Sequence, residues 1–177
     1  KTSRSGKALY HLKIKGLSAH SGLDPLSGIS AIKEMAAQIT DIYKIAREDE
    51  GLHVNVGVVH GGTAVNVIAE HAEALIDVRL TRNDQMEYVE KSFNALKPKE
   101  PKISMTLEGG LERPPWQGGP DGSRLFEEAG KIGSHLGLSL TQMHAGGSSD
   151  GNFTAALGIP TLDGLGPIGS GAHSAGN

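Results

Sequence analysis

Histidine and arginine are the residues most able to do chemistry here, because the sequence has eight histidines and no cysteine. The lack of cysteine removes disulfides, thiolate nucleophiles and Cys-type zinc sites. His173 stands in a Gly-rich stretch, Gly171-Ala172-His173-Ser174, where a loop can present an imidazole to a metal ion. Taken alone it reads as a surface loop histidine, since a zinc site needs three or four protein ligands. The run Gly146-Gly147-Ser148-Ser149-Asp150 leads into helical sequence, so the backbone N–H groups of Gly147 and Ser148 can receive a carboxylate. Asp150 reads there as a helix N-cap rather than a catalytic acid. Arg113 carries a planar fork that suits the same ligand, because a guanidinium binds a carboxylate through two parallel hydrogen bonds. Its plainer reading is a solvated linker arginine. His11, His53, His60 and His71 fall in strands or turns and read as surface residues.

The elements that position these groups follow from hydrophobic period. Alternation over 8–15 puts Tyr10, Leu12 and Ile14 on one face of a strand. A loop over 16–24 follows. Asp24-Pro25 signals a helix start, with Asp as N-cap and Pro at the first helical position. Ile29, Ile32, Ala36, Ile39, Ile42 and Ala46 then keep helical spacing to about Arg47. Alternation returns over 52–59, with Leu52, Val54, Val56 and Val58 together. It returns again over 65–80, with Ala72, Ala74, Ile76, Val78 and Leu80 together. His60-Gly61-Gly62-Thr63 between them is turn material. Asp84 and Glu87 open a second helix whose stripe is Met86, Val89, Phe93 and Leu96. Ile103, Met105 and Leu107 mark a last strand. The order β-α-β-β-α-β is that of a ferredoxin-like α+β sandwich.

Composition changes after Leu107. Glycines, prolines and the single tryptophan over 108–122 read as a connecting segment. A third helix is expected over 123–136, with Leu125, Phe126, Ala129, Ile132 and Leu136 inward and Gly137 at C′. A short strand over 138–143, a helical turn over 152–157 and a buried strand over 160–162 follow. This part has α/β character but too few elements for a sheet of its own, so it reads as an incomplete domain.

Hydrophobic residues at 37% and charged residues at 21% are ordinary for a globular protein, and only 4% aromatics implies an aliphatic core. A net charge of -3 is too small to argue for nucleic acid or an anionic membrane as partner. No apolar run approaches the roughly 20 residues that span a bilayer, so the expectation is a soluble protein, with the compartment, cytoplasm or periplasm, left open. The polar opening 1–7 resembles neither a signal peptide nor an initiation site, so the chain reads as an excised piece.

Four segments in order resemble the M20 metallopeptidases, the group of glutamate carboxypeptidases, aminoacylases, acetylornithine deacetylases and succinyl-diaminopimelate desuccinylases. They are Gly16-Leu17-Ser18-Ala19-His20-Ser21-Gly22, Gly61-Gly62-Thr63-Ala64-Val65-Asn66-Val67-Ile68, Asp77-Val78-Arg79, and the pair formed by the 146–150 run with Gly171-Ala172-His173-Ser174. The run Pro160-Thr161-Leu162-Asp163-Gly164-Leu165-Gly166-Pro167 is most similar to the glutamate carboxypeptidase-like branch. The resemblance implies a lid or dimerisation domain over 6–110 and a returning part of a catalytic domain over 111–177. It implies a homodimer and a two-zinc centre, with His173 as the last metal ligand. By the same resemblance, His20 enters the neighbouring subunit's site and steadies the oxyanion at the scissile carbonyl, with Asn66 arriving in trans beside it. Asn66 and Arg79 contact substrate. Arg113 grips its free α-carboxylate, with Gly147 and Ser148 at the same end. Arg79 has an even alternative, a pair with Asp77 or Glu73.

Two departures bear on activity. The sequence holds no His-x-Asp, the motif that supplies metal ligands in these relatives. The family's general base is the first Glu of a Glu-Glu pair, and the pair here, Glu127-Glu128, falls on the third helix and reads as a solvated face. The expectation is therefore part of a zinc hydrolase that cleaves an amide or peptide bond next to a free carboxylate, the chain alone being inactive. An N-acyl amino acid deacylase is the alternative within the class. A non-catalytic dimerisation or ligand-binding module is the alternative outside it.

Overall fold

The computed structural model describes residues 1–166. Its centre is a four-stranded antiparallel sheet of β2 (Gly6–Lys15), β3 (His53–Gly61), β4 (His71–Leu80) and β5 (Ser104–Arg113), in the order β3-β4-β2-β5. Helices α1 (Ala31–Tyr43) and α2 (Asp84–Asn94) complete the β-α-β-β-α-β order expected from the sequence. The strand order is the ferredoxin-like one, and the fold class is as read. A short strand β1 (Ser3–Arg4) precedes this unit, and α3 (Pro120–His135), β6 (His144–Ala145) and α4 (Gly151–Ala156) follow it.

One sheet face makes the core. Ala8, Tyr10, Leu12 and Ile14 of β2 are buried with Ala72, Ala74, Ile76, Val78 and Leu80 of β4, against Ala31, Met35 and Ile42 of α1 and Val89 and Phe93 of α2. Tyr10 stacks on Phe93 with ring centroids 4.0 Å apart. Each of the larger aliphatic side chains and Phe93 contributes about 1.5–3 kcal/mol on burial, so Leu12→Ala at the centre would cost about 2–5 kcal/mol. The other face carries polar pairs beside an exposed Leu75: His11 is hydrogen-bonded to Glu73 at 2.8 Å and Lys13 is ion-paired with Glu108 at 2.7 Å.

Several boundaries differ from expectation, each for a local reason. α1 begins at Ala31, not at Pro25, because Ile29 exchanges two backbone hydrogen bonds with Leu17 and so cannot be helical. Ser30 is the N-cap, its Oγ accepting the Lys33 N–H at 3.1 Å. The helix stops at Tyr43, before Arg47, whose backbone pairs with Leu52. A bulge between Val56 and Val58 reverses the expected face of Val58, which lies opposite Leu75 on the open side and is 38% exposed. β4 starts at His71, because residues before it leave the sheet to pair with the 16–31 loop. β5 runs on to Arg113 through Gly109, where an added Cβ would stand 2.1 Å from the Leu9 carbonyl oxygen. Of the α3 stripe expected inward, Phe126 and Ala129 are half-buried, whereas Ile132 and Leu136 face out, 63% and 70% exposed. No strand forms at 138–143 or 160–162; β6 at His144–Ala145 pairs in parallel with β1.

Candidate functional site

Two loops at one end of the sheet hold His20 and Asn66. Segment 16–31 and segment 64–70 are laced by backbone hydrogen bonds: Gly16 N–H to Glu70, Ile68 N–H to Ala19, Ser21 N–H to Asn66 and Ala31 N–H to Ala69. Glycines allow the approach. A Cβ at Gly16 would lie 2.0 Å from the Ile29 oxygen, and one at Gly28 would lie 2.5 Å from Ile68 Cδ1. His20 is exposed at the tip, with its backbone bridged to Val67 beside Asn66. Its Nδ1 accepts the N–H groups of Gly22 and Leu23, each at 3.1 Å. That leaves the neutral ring its proton on Nε2, so a hydrogen-bond donor points away from the loop.

Arg113 and the glycine-rich turn meet at the opposite end. Arg113 Nη1 donates to Asp150 Oδ1 at 2.7 Å, and the guanidinium lies over the Phe153 ring, 5.2 Å from its centroid. Asp150 stands at the N-cap of α4 as expected, but its carboxylate turns to Arg113, and the Ser149 hydroxyl accepts the Gly151 N–H instead. Among the described residues, the N–H groups of Gly147 and Ser148 have no hydrogen-bond acceptor. Arg79 lies on this end as well, in register with Lys7, which is itself in register with Arg113. Arg79 Nε donates to Asp77 Oδ2 at 2.7 Å, the pair offered beside its substrate role. Lys7 pairs with Glu112, so each cation of this row carries its own carboxylate.

Residues that sequence reasoning passed over fix the turn. Arg4 Nε donates to Asp163 Oδ2 at 2.7 Å while its Nη1 donates to the Gly147 carbonyl at 2.7 Å. The Ser149 hydroxyl donates to Asp163 at 2.5 Å; this bond, with the Gly164 N–H and Arg4, holds the Asp163 carboxyl below the usual carboxylate range. Asn152 is fully buried, donating to the carbonyls of Ser5 and Pro114 and accepting the Ser149 N–H. Position 163 lies in the quoted Thr161-Leu162-Asp163-Gly164 run, a weak signal; Arg4 and Asn152 carry none.

The sequence profile of the peptidase dimerisation domain matches residues 2–103, more than half of the chain and the whole of the His20–Asn66 loop pair. The chain belongs to the M20 peptidase family. The carboxypeptidase G2 of Pseudomonas sp. (strain RS-16) is 27% identical over 173 residues, which cover 96% of this chain and 42% of that protein. The uncharacterized protein YqjE of Bacillus subtilis (strain 168) is 31% identical over 159 residues, covering 89% and 43%. Among solved structures, the aminopeptidase PepT of Bacillus cereus superposes with a TM-score of 0.74 at 28% identity, covering 90% of this chain and 43% of that one. This M20 chain thus spans less than half the length of the relatives it matches.

The resemblance implies a zinc pair. Among the described residues no three His, Cys, Asp or Glu side chains converge, so these residues do not fit a zinc site. His173 lies outside the described residues. Glu127 and Glu128 are exposed on α3, Glu128 pairing with Lys131 at 3.0 Å. Among the described residues no helix is long and apolar enough to cross a membrane.

Proposed function

We propose that the protein hydrolyses an amide or peptide bond next to a free carboxylate, as a homodimer in which each site draws residues from both copies. The observation that carries this reading is the distance between the two groups along β2. Lys7, in register with Arg79 and Arg113, and Lys15, which leads into the His20 loop, are eight residues apart on one strand. At about 3.3 Å per residue that is about 26 Å, beyond the reach of one small substrate. His20 and Asn66 therefore act on a substrate held by Arg113 only when they come from the second copy. In that arrangement the Nε2–H of His20 serves as the oxyanion donor. Arg113, with Gly147 and Ser148, orients the carboxylate.

The domain reading belongs to the same proposal: a lid and dimerisation unit over 6–110, and 111–177 as part of a catalytic domain. Two zinc ions per site are the proposed cofactor, with His173 as the ligand this chain supplies. The remaining ligands and the general base would come from sequence not present in these 177 residues, which is why the chain by itself is proposed to be inactive. The carboxypeptidase name among its relatives favours peptide cleavage over N-acyl deacylation.

The test is complementation in an N-terminally longer, active form, assayed on folyl-type and N-acyl glutamates. His20→Ala and Arg113→Ala are each nearly inactive, and a one-to-one mixture recovers about one quarter of wild-type activity through hybrid dimers with one intact site. A mixture no better than its parts would sink the shared-site reading. Release by the 177 residues alone would sink the claim of inactivity.

A further inference from the structure

We propose that Asp150 is an internal carboxylate ligand of Arg113: it occupies the guanidinium that a substrate carboxylate needs, and binding exchanges one acid for the other. This rests on the reading of Arg113 as the carboxylate grip, and it assigns a regulating residue to that grip. Three observations carry it. The pair is close but single-pointed, one Nη1–Oδ1 contact at 2.7 Å, where a guanidinium can offer two parallel bonds to an incoming ligand. The Asp150 side chain is 93% exposed against 32% for Arg113, so the acid is the loosely held partner. Arg113 is placed without it, at the end of β5 in register with Lys7 and over the Phe153 ring.

The chemistry is competition between like ligands. Asp150 has been drawn away from capping α4, a task the Ser149 hydroxyl performs at 3.2 Å from the Gly151 nitrogen. Rotation of its side chain frees Arg113 without breaking any other hydrogen bond among the described residues. The N–H groups of Gly147 and Ser148, unpaired among the described residues, stand three and two residues before Asp150 in the chain. A bound carboxylate thus has both a guanidinium and backbone donors on offer, whereas Asp150 uses only the first. Neutral ligands gain nothing from the exchange. The device therefore lowers the site's affinity for all carboxylates by a fixed factor and leaves selection to the groups that the backbone N–H donors can reach.

An exposed single-contact pair of this kind shifts an equilibrium by roughly two- to five-fold. The experiment titrates N-acetyl-L-glutamate, and separately its uncharged diamide, into the chain, following the Phe153 ring and Arg113 side-chain NMR signals. Asp150→Asn is expected to tighten N-acetyl-L-glutamate by that factor and to leave the diamide unchanged, with the amide spectrum of the remaining residues preserved. Equal or weaker binding by Asp150→Asn overturns the proposal, as does an equal gain for the diamide. Arg113→Gln separates the two levels of inference. If it binds N-acetyl-L-glutamate as well as wild type, the carboxylate-grip reading itself falls; if it abolishes binding while Asp150→Asn changes nothing, only the exchange falls.

Discussion

The Ser21 N–H donates to the Asn66 carbonyl at 3.0 Å, and this bond joins the loop that presents His20 to the loop that presents Asn66. The two residues are 46 positions apart in sequence (66 minus 20) and share no strand. What holds them together is backbone pairing between irregular segments, which needs the segments to approach more closely than side chains permit. The tip is therefore held by several backbone hydrogen bonds although it has no regular secondary structure. Under the shared-site proposal, such pairing suits a group that enters a second copy's site and has to keep its geometry there.

Gly16 is the residue on which this approach depends most. A Cβ there would meet the Ile29 carbonyl oxygen at 2.0 Å, and a backbone atom cannot rotate aside. Gly16→Ala is expected to cost about 1–3 kcal/mol in thermal or urea unfolding and to shift the amide signals of residues 17–29. A variant of wild-type stability with an unchanged spectrum would contradict the described packing.

For His20, the two N–H groups donated to Nδ1 fix the expected tautomer. Long-range nitrogen–proton NMR at neutral pH should show the proton on Nε2. His20→Ala in an active form should lower kcat by about 100- to 1,000-fold, the range for loss of one oxyanion donor. Because the ring is exposed, stability should move by less than about 1 kcal/mol. A proton on Nδ1 would contradict the two hydrogen bonds that Nδ1 accepts, and a large loss of stability with kcat intact would mean that the ring only caps the loop.

The sheet and both of its helices were legible because their signals are periodic. Ala72, Ala74, Ile76, Val78 and Leu80 alternate without interruption and all are buried. Val58 was not legible: Gly57 sits in the bulge between Val56 and Val58, and a bulge leaves no mark on the hydrophobic pattern except a glycine. Asp24-Pro25 misled for a related reason. Both residues can open a helix or a turn, and pairing of Ile29 with Leu17 decided for the turn. Arg4, Asn152 and Asp163 were beyond local reading, since the contacts that tie them to the start of the chain or, for Arg4, to the turn span 143 to 159 residues, and polar pairs at that separation have no periodicity. The outward stripe of α3 shows the limit from the other side. Its apolar period is present, but the inward direction expected for Ile132 and Leu136 is not met, because pattern alone does not say what covers a stripe.

Acid should loosen the 146–150 turn. Asp163 has a folded-state pKa lowered from 3.8, chiefly by the Ser149 hydroxyl, so its contribution is complete above the ordinary carboxylate value and is lost as pH falls through the lowered one. Asp163→Asn should therefore unfold at lower temperature than wild type at pH 7, with the gap closing below about pH 4. Trp116 is a suitable probe, being the single tryptophan, buried, and bonded through its backbone to Arg4. A gap that stays constant or widens in acid would assign the effect to something other than the Asp163 carboxylate.

The α3 stripe gives the sharpest test of the domain reading. Ile132 is 63% exposed and Leu136 70%, so Ile132→Glu in this chain should change stability by no more than about 0.5 kcal/mol. If 111–177 belongs to a catalytic domain completed by further sequence, the same stripe becomes interior in the longer protein. A glutamate there would then be a charge without a partner in an apolar layer, and the cost should rise to about 2 kcal/mol or more. Urea unfolding of both lengths, each with and without the substitution, reads the difference directly. A cost that is small in both lengths would leave the stripe on the surface and remove the reason to treat 111–177 as part of a larger layer. A cost that is large already in the 177 residues would mean that the chain buries Ile132 against itself or a second copy.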